Sequence, residues 1–394
     1  MHAVQFDGFT LAERDRRWGA VRAEMTRREL DCLIVYGSDS VYRDCCQNLR
    51  WLTNAPREGY LVFPLQDDPT LVTFESGLDP IWVTDWRGGV PRFSAALAQR
   101  LQELGFHTGR IGTVGTGGFY GETGGFPYRT HVSLAEAFPQ ATFLEATDAV
   151  EHLRVVKSAE EVRCLEAGCQ IMEEVFAVVR QVAGVGVRDV EVRAAILDAL
   201  FRSGCEQGIM LLYAQGKDVM HGGQRGARLE SGRQDRLAPG DVILLEVDAV
   251  RHGYKAQFNQ PFIIGDPVED WPLIFETATS CFGRATATLK PGVTVGELEA
   301  ETVAPMRQAG LTFGNPAFHG LGLGIEAPVG TYPRANHRAD PDYVIEEGMV
   351  LELEPHPITH DFRRGASLGC PMLVADGGCR QLAPWWSPNA IIIN

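Results

Sequence analysis

The sequence predicts two domains, an α/β domain followed by an α+β domain, and three observations carry this expectation. At 394 residues with 45% hydrophobic content, the chain is longer than one small core can organise and apolar enough for two. In the first 150 or so residues, short apolar runs alternate with amphipathic stretches, the pattern of an α/β unit with a partly parallel sheet. Beyond that point, long helical stripes bracket antiparallel hairpin patterns. The boundary is placed between residues 152 and 153.

Residues 11–30 read as an amphipathic helix with Trp18, Val21, Met25 and Leu30 on one face. CLIVYG at 32–37, GYLVFPL at 59–65 and PTLVTFES at 69–76 read as strands. A helix from residue 96 stops at Gly105, and RIGTVGT follows as a strand. In the second domain, Ser158 and Glu161 form a capping box at the head of a helix. Val162, Leu165, Cys169, Met172, Phe176 and Val179 then make its buried stripe. Further helices cover 188–202, 271–288 and 296–309, the last containing Pro305. Hairpins occupy 240–262 and 349–375.

A net charge of −15 disfavours nucleic acid and anionic membranes as partners. No apolar run has the length of a bilayer span, and the first residues lack a signal-peptide core. Nine irregularly spaced cysteines suit reduced thiols, so a cytoplasmic protein is expected.

Polar residues recur where a core would be apolar. In GDVILLEVDAVRHGYKAQFNQPF, Glu246 and Asp248 alternate onto one strand face, with Gln257 and Asn259 on the returning strand beyond a turn at His252-Gly253. His221 precedes two glycines, and His319 sits in a Gly-rich segment with Glu326 seven residues on. EEGMVLELEPHP places Glu352 and Glu354 on one face of an apolar strand. A buried acid needs a partner, so these groups are expected to floor a site. Asp248 and Glu352 are assigned to strand ends or ion pairs and set apart from it.

These motifs, in this order, resemble the pita-bread family, which includes methionine aminopeptidase, aminopeptidase P, prolidase and creatinase. The likeness runs nearly the whole length: RVVKSAEEV resembles the entry to the catalytic domain, and the residues before it resemble the creatinase/prolidase N-terminal domain. The resemblance implies an α/β N-terminal domain plus an α+β pita-bread C-terminal catalytic domain. Family peptidases hold two metal ions with two Asp, one His and two Glu. Carried over, the Asp positions fall on Glu246 and Gln257, the His on His319, and the Glu positions on Glu354 and Gly369. A second family His is replaced by Glu326. His221 matches an acid/base His, and Arg57 resembles a creatinase Arg that reaches the neighbouring subunit's site. Asn259 stands where creatinase has a Glu.

With two of five ligands lost, the resemblance implies no dinuclear metal and points to the metal-free creatinase and ectoine hydrolase branch. The expected activity is hydrolysis of a C–N bond in a small zwitterionic or cyclic amidine, guanidino or amide compound, by a Glu/His acid-base or covalent mechanism. His221, Glu246, His319 and Glu354 would be catalytic, with Arg57, Gln257, Asn259 and Glu326 binding substrate. No cofactor is expected, and a homodimer would complete each site. The alternatives are a single divalent ion on Glu246, His319 and Glu354 in a lyase or hydrolase, Xaa-Pro peptidases included, or a non-catalytic binding module.

Overall fold

In the computed structural model, the described residues are 6–38, 47–55, 58–75, 82–116, 125–214, 216, 218–220, 236–313, 316–330 and 340–394. Two compact units result: Asp7–Val155 with Leu323–Glu326, and Val156–Gly322 with Ala327–Asn394.

The first unit runs α1 (Leu11–Arg27), β1 (Cys32–Gly37), α2 (Gln47–Thr53), β2 (Gly59–Pro64), β3 (Thr70–Thr73), β4 (Asp85–Arg87), α3 (Phe93–Glu103), β5 (Thr108–Val114), α4 (Tyr128–Ala137), β6 (Gln140–Glu145) and α5 (Asp148–Arg154). Its six strands lie in the order β4-β3-β2-β1-β5-β6. β1 pairs antiparallel with β2 and parallel with β5, so the sheet is mixed, as the alternation of strands and helices predicts. Every residue of β1 is buried, which explains its unbroken apolar run. Ile34, Tyr36, Tyr60, Val62, Leu97, Leu101 and Ile111 fill the core between this sheet and its helices. Two elements are shorter than expected: α1 ends at Arg27, and β3 ends at Thr73.

Glu24, near the end of α1, is buried and its pKa is lowered to about 2. The hydrogen bond from Arg27 outweighs burial, and Arg28 adds to it. A depressed folded pKa gives stability that is fully present above the ordinary value of 4.5 and is lost as pH falls towards 2. The melting temperatures of wild type and Glu24→Gln are therefore expected to differ at pH 7 and to converge as the solution is acidified. A difference that stays constant with pH contradicts the assignment.

The second unit begins with α6 (Ala159–Val182), α7 (Asp189–Arg202), β7 (Met210–Tyr213), β8 (Val242–Arg251), β9 (Tyr254–Ile264), α8 (Trp271–Thr288) and α9 (Val295–Gln308). It continues with β10 (Thr312–Phe313), β11 (Phe318–Leu321), β12 (Ile325–Val329), β13 (Val350–Leu353), β14 (Pro357–Ile358), β15 (Cys370–Ala375), β16 (Gly378–Gln381) and β17 (Ile391–Ile393). α6 opens with the expected capping box, Ser158 accepting from the Glu161 backbone and Glu161 from that of Ser158. One sheet has the order β17-β9-β8-β7 and another β12-β11-β13-β15-β16. β8 and β9 form the predicted hairpin, turned by His252 and Gly253 at φ 46° and 82°.

β9 alternates between two environments. Phe258 and Phe262 pack edge-on against Phe176 of α6, with centroids 5.8 and 5.7 Å away, and Trp385 stacks on Phe258. A Cβ on Gly168 of α6 would lie 2.9 Å from Ala256 Cβ and 3.1 Å from Ala249 O, so only glycine lets the helix sit this close to the hairpin. The intervening residues, Gln257 and Asn259, face the other way. Helix packing on one face thus fixes the polar groups on the opposite one.

Candidate functional site

The hairpin register sets Glu246 opposite Asn259 and Asp248 opposite Gln257. Directly opposed residues share a face, so four polar side chains line one side of the β8–β9 ribbon. Asn259 and Gly369 exchange backbone hydrogen bonds of 3.1 and 2.9 Å, joining this ribbon to the segment that leads into β15. In the second sheet, His319 on β11 lies opposite Glu352 on β13, which in turn faces Pro371. Glu354 follows two residues later, on the same side.

The side chains converge. His319 Nε2 is 3.5 Å from Glu354 Oε1. Asn259 Nδ2 donates to Glu354 Oε2 at 2.8 Å. Gln257 Nε2 lies 3.5 Å from both Glu246 Oε1 and Glu354 Oε2. Four of the expected residues, Glu246, Gln257, Asn259 and His319, are therefore brought to Glu354. Glu246 is half-buried and the others are buried.

His319 Nδ1 is 2.9 Å from the carbonyl of Gly320. A carbonyl only accepts, so Nδ1 carries the hydrogen and Nε2 is the ring nitrogen turned towards Glu354. A proton or a cation between Nε2 and the Glu354 carboxylate would make this contact favourable.

The electrostatics make the same demand. The pKa of Glu354 is raised well above the carboxylate range, first by burial and then by the charge of Glu246, with the Asn259 hydrogen bond opposing. The pKa of Glu352 is raised still by burial first, then by Glu354, Asp248 and Glu246. The Asn259 side chain opposes this as the smallest of the influences on Glu352.

This corrects the placing of Asp248 and Glu352 outside the site. Asp248 lies inside β8, 1% exposed, and accepts from Ile209 N–H; Glu352 is fully buried in β13. The alternation in LELEP was a usable signal, since both acids fall on one strand face. Glu326 has its carboxylate held by Arg154 at 2.7 Å and by the Leu323 N–H at 3.3 Å. His221 and Arg57 lie outside the described residues.

The family ascription can now be tested directly. Residues 163–380 match the model of metallopeptidase family M24, more than half of the chain. The chain belongs to metallopeptidase family M24. Residues 17–156 match the creatinase/prolidase N-terminal domain. An Xaa-Pro dipeptidase of Pyrococcus furiosus is 25% identical over 267 residues, 66% of this chain and 73% of its own length. The structure of an Xaa-Pro dipeptidase from Bacillus anthracis superposes with a TM-score of 0.77 at 19% identity, covering 96% of this chain and 99% of the other. A prolidase from Thermococcus sibiricus gives 0.79 at 16% identity, over 98% and 100% of the two chains. The fold is thus the α/β N-terminal domain plus α+β pita-bread catalytic domain expected from the sequence.

The M24 match overturns the metal-free, non-peptidase reading. The relatives named are Xaa-Pro dipeptidases, not creatinases or ectoine hydrolases, and the family is one of metallopeptidases. The expectation of no cofactor falls with it. No helix among the described residues is long and apolar enough to cross a membrane.

The donor chemistry decides how many ions fit. Among the described residues, no group of three or more His, Cys, Asp or Glu side chains is placed to hold a metal ion. Gln257 offers a neutral amide and Gly369 no side chain at two of the positions where the resemblance places carboxylate ligands. His319, Glu246 and Glu354 offer an imidazole and two carboxylates, donor types that suit a single first-row divalent metal.

Proposed function

We propose that this M24 member is an Xaa-Pro peptidase-like hydrolase of small substrates, working with a single divalent ion held by Glu246, His319 and Glu354. The observation that supports it is the apposition of His319 Nε2 and Glu354 Oε1 at 3.5 Å, with Glu246 linked to Glu354 through Gln257. When bound, a divalent ion would polarise the scissile carbonyl and lower the pKa of the attacking water.

The chain's own residues prepare that chemistry. The Gly320 carbonyl fixes the His319 tautomer and ring orientation, a role that outer groups often play around metal-binding histidines. Asn259 and Gln257 orient Glu354 and Glu246 as donors without adding negative charge. His221 is assigned the transfer of a proton to the leaving nitrogen, and Arg57 the binding of the substrate carboxylate. Glu326 supports the fold through Arg154 rather than touching substrate.

Proline release from a panel of Xaa-Pro dipeptides, with Mn²⁺ or Co²⁺ supplied, tests the reading. Turnover that disappears with chelator is the expected result; no release from any dipeptide with either metal contradicts it.

A further inference from the structure

The turn that follows β14 is held in one shape by its own residues. Asp361 accepts from Thr359 Oγ1 at 2.6 Å and from the Arg363 N–H at 3.1 Å, and the Thr359 N–H donates to the Arg364 carbonyl at 2.9 Å. Phe362, 57% exposed at the tip, has a φ of 56°, a left-handed conformation that is strained for a bulky side chain. Such strain persists only where surrounding contacts fix it, and it gathers at functional sites.

The turn grips a second segment of the chain. Arg364, 11% exposed, places Nη2 at 2.8 Å from Asp218 Oδ1 and Nη1 at 2.7 Å from Asp270 Oδ2, and it also pairs with Glu269. Arg363 pairs with Asp218 as well. The backbone adds to this grip: the Gly365 N–H donates to the Val219 carbonyl at 3.2 Å, and Gly365 bridges in parallel to Met220. A Cβ on Gly365 would lie 2.8 Å from Ile358 Cγ1 and 3.0 Å from Pro357 O, so a side chain there would force the turn open.

Each end of this connection leads to a group assigned to the reaction. Met220 is followed directly by His221 in the sequence. The turn is reached from β13 through Glu354, whose carbonyl accepts from Ser367 Oγ at 2.9 Å on the returning side. Partly exposed ion pairs add little to stability, so the convergence of three acids on Arg364 is explained by where it holds the chain.

We propose that Arg364 is a positioning residue for His221, its ion pair with Asp218 tying the segment that enters His221 to the turn that leaves Glu354. The proposal rests on the reading of His221 as proton donor. In that step the oxygen of water bonds to the carbonyl carbon and the C–N bond breaks. The nitrogen leaves with a proton from His221, and a proton of the water restores the imidazole.

Kinetics with Mn²⁺ supplied test this, on an Xaa-Pro dipeptide and on the matching thioester with a 2-mercapto acid in place of proline. A thiolate leaves without a proton, so only the dipeptide needs His221. Arg364→Ala and Asp218→Ala are each expected to lower kcat on the dipeptide by roughly ten- to a hundredfold, with KM and thioester turnover within about twofold of wild type. His221→Ala should show the same split, and the Arg364/Asp218 double variant should be no slower than either single one. If His221→Ala shows the split, an unchanged dipeptide rate in either variant, or equal losses on both substrates, overturns the role of Arg364 alone. Wild-type dipeptide turnover by His221→Ala instead sinks the reading of His221, and this inference with it. Absence of dipeptide cleavage by wild type sinks the peptidase reading and both of these.

Discussion

Glu354→Ala is expected to lower kcat/KM on an Xaa-Pro dipeptide by roughly 10³-fold, because polarisation by a metal ion supplies several kcal/mol and each 1.4 kcal/mol is a factor of ten. Glu354 is the hub of the cluster. It faces His319 Nε2 at 3.5 Å, takes the Asn259 hydrogen bond at 2.8 Å and meets Gln257 at 3.5 Å. Truncation removes a donor and leaves the Asn259 amide without its acceptor, while Gln257 keeps Glu246. The ion-free protein should keep its fold, since one of several mutually repelling buried acids has gone. Steady-state kinetics beside a thermal melt would show this. A variant that folds and retains more than about a tenth of wild-type kcat/KM would remove Glu354 from the centre of the mechanism.

Gln257→Asp is expected to have opposite effects on the ion-free and metal-loaded protein. Gln257 is 3% exposed and stands between the Glu246 and Glu354 carboxylates as a neutral donor. Aspartate would replace that donor with another buried anion, beside acids whose charge already raises the pKa of Glu354 and Glu352. The ion-free protein should lose about 1–3 kcal/mol of stability, the cost of a buried group left without its hydrogen bonds. Metal affinity should rise, because the added charge is relieved only by a cation. Urea unfolding with and without Mn²⁺ separates the two terms. Equal destabilisation in both conditions would mean that residue 257 does not face the ion.

The fold was readable because its signals are local. Ser158 and Glu161 mark the start of α6 within four residues, and the Phe176 stripe names the face that meets the hairpin. The His252-Gly253 turn fixes the register that sets Glu246 against Asn259. Much of the site followed from the same periodicity, since strand alternation alone places Glu246, Gln257 and Asn259 on a common face.

Glu352 escaped because its burial depends on strands distant in the sequence. An acid in an apolar strand belongs to an edge or a site according to what lies across from it, which for Glu352 is His319 on one side and Pro371 on the other. Asp248 was set aside for a similar reason: its burial depends on segment 208–209 crossing over it, with a Cβ on Gly208 only 2.8 Å from Asp248 Cβ. The functional error had the same root. Counting lost ligands at Gln257 and Gly369 suggested a site without metal, whereas the negative charge on the neighbouring strands remains. Glu246 and Asp248 raise the pKa of Glu352, and Glu246 that of Glu354, so these acids favour a proton or a cation among them.

The central claim is one catalytic divalent ion per chain. Chelated protein titrated with Mn²⁺ while proline release from an Xaa-Pro dipeptide is followed tests it most directly. Activity is expected to rise linearly and to break at one equivalent per chain. A break at two equivalents, or activity that chelation leaves untouched, would contradict the account.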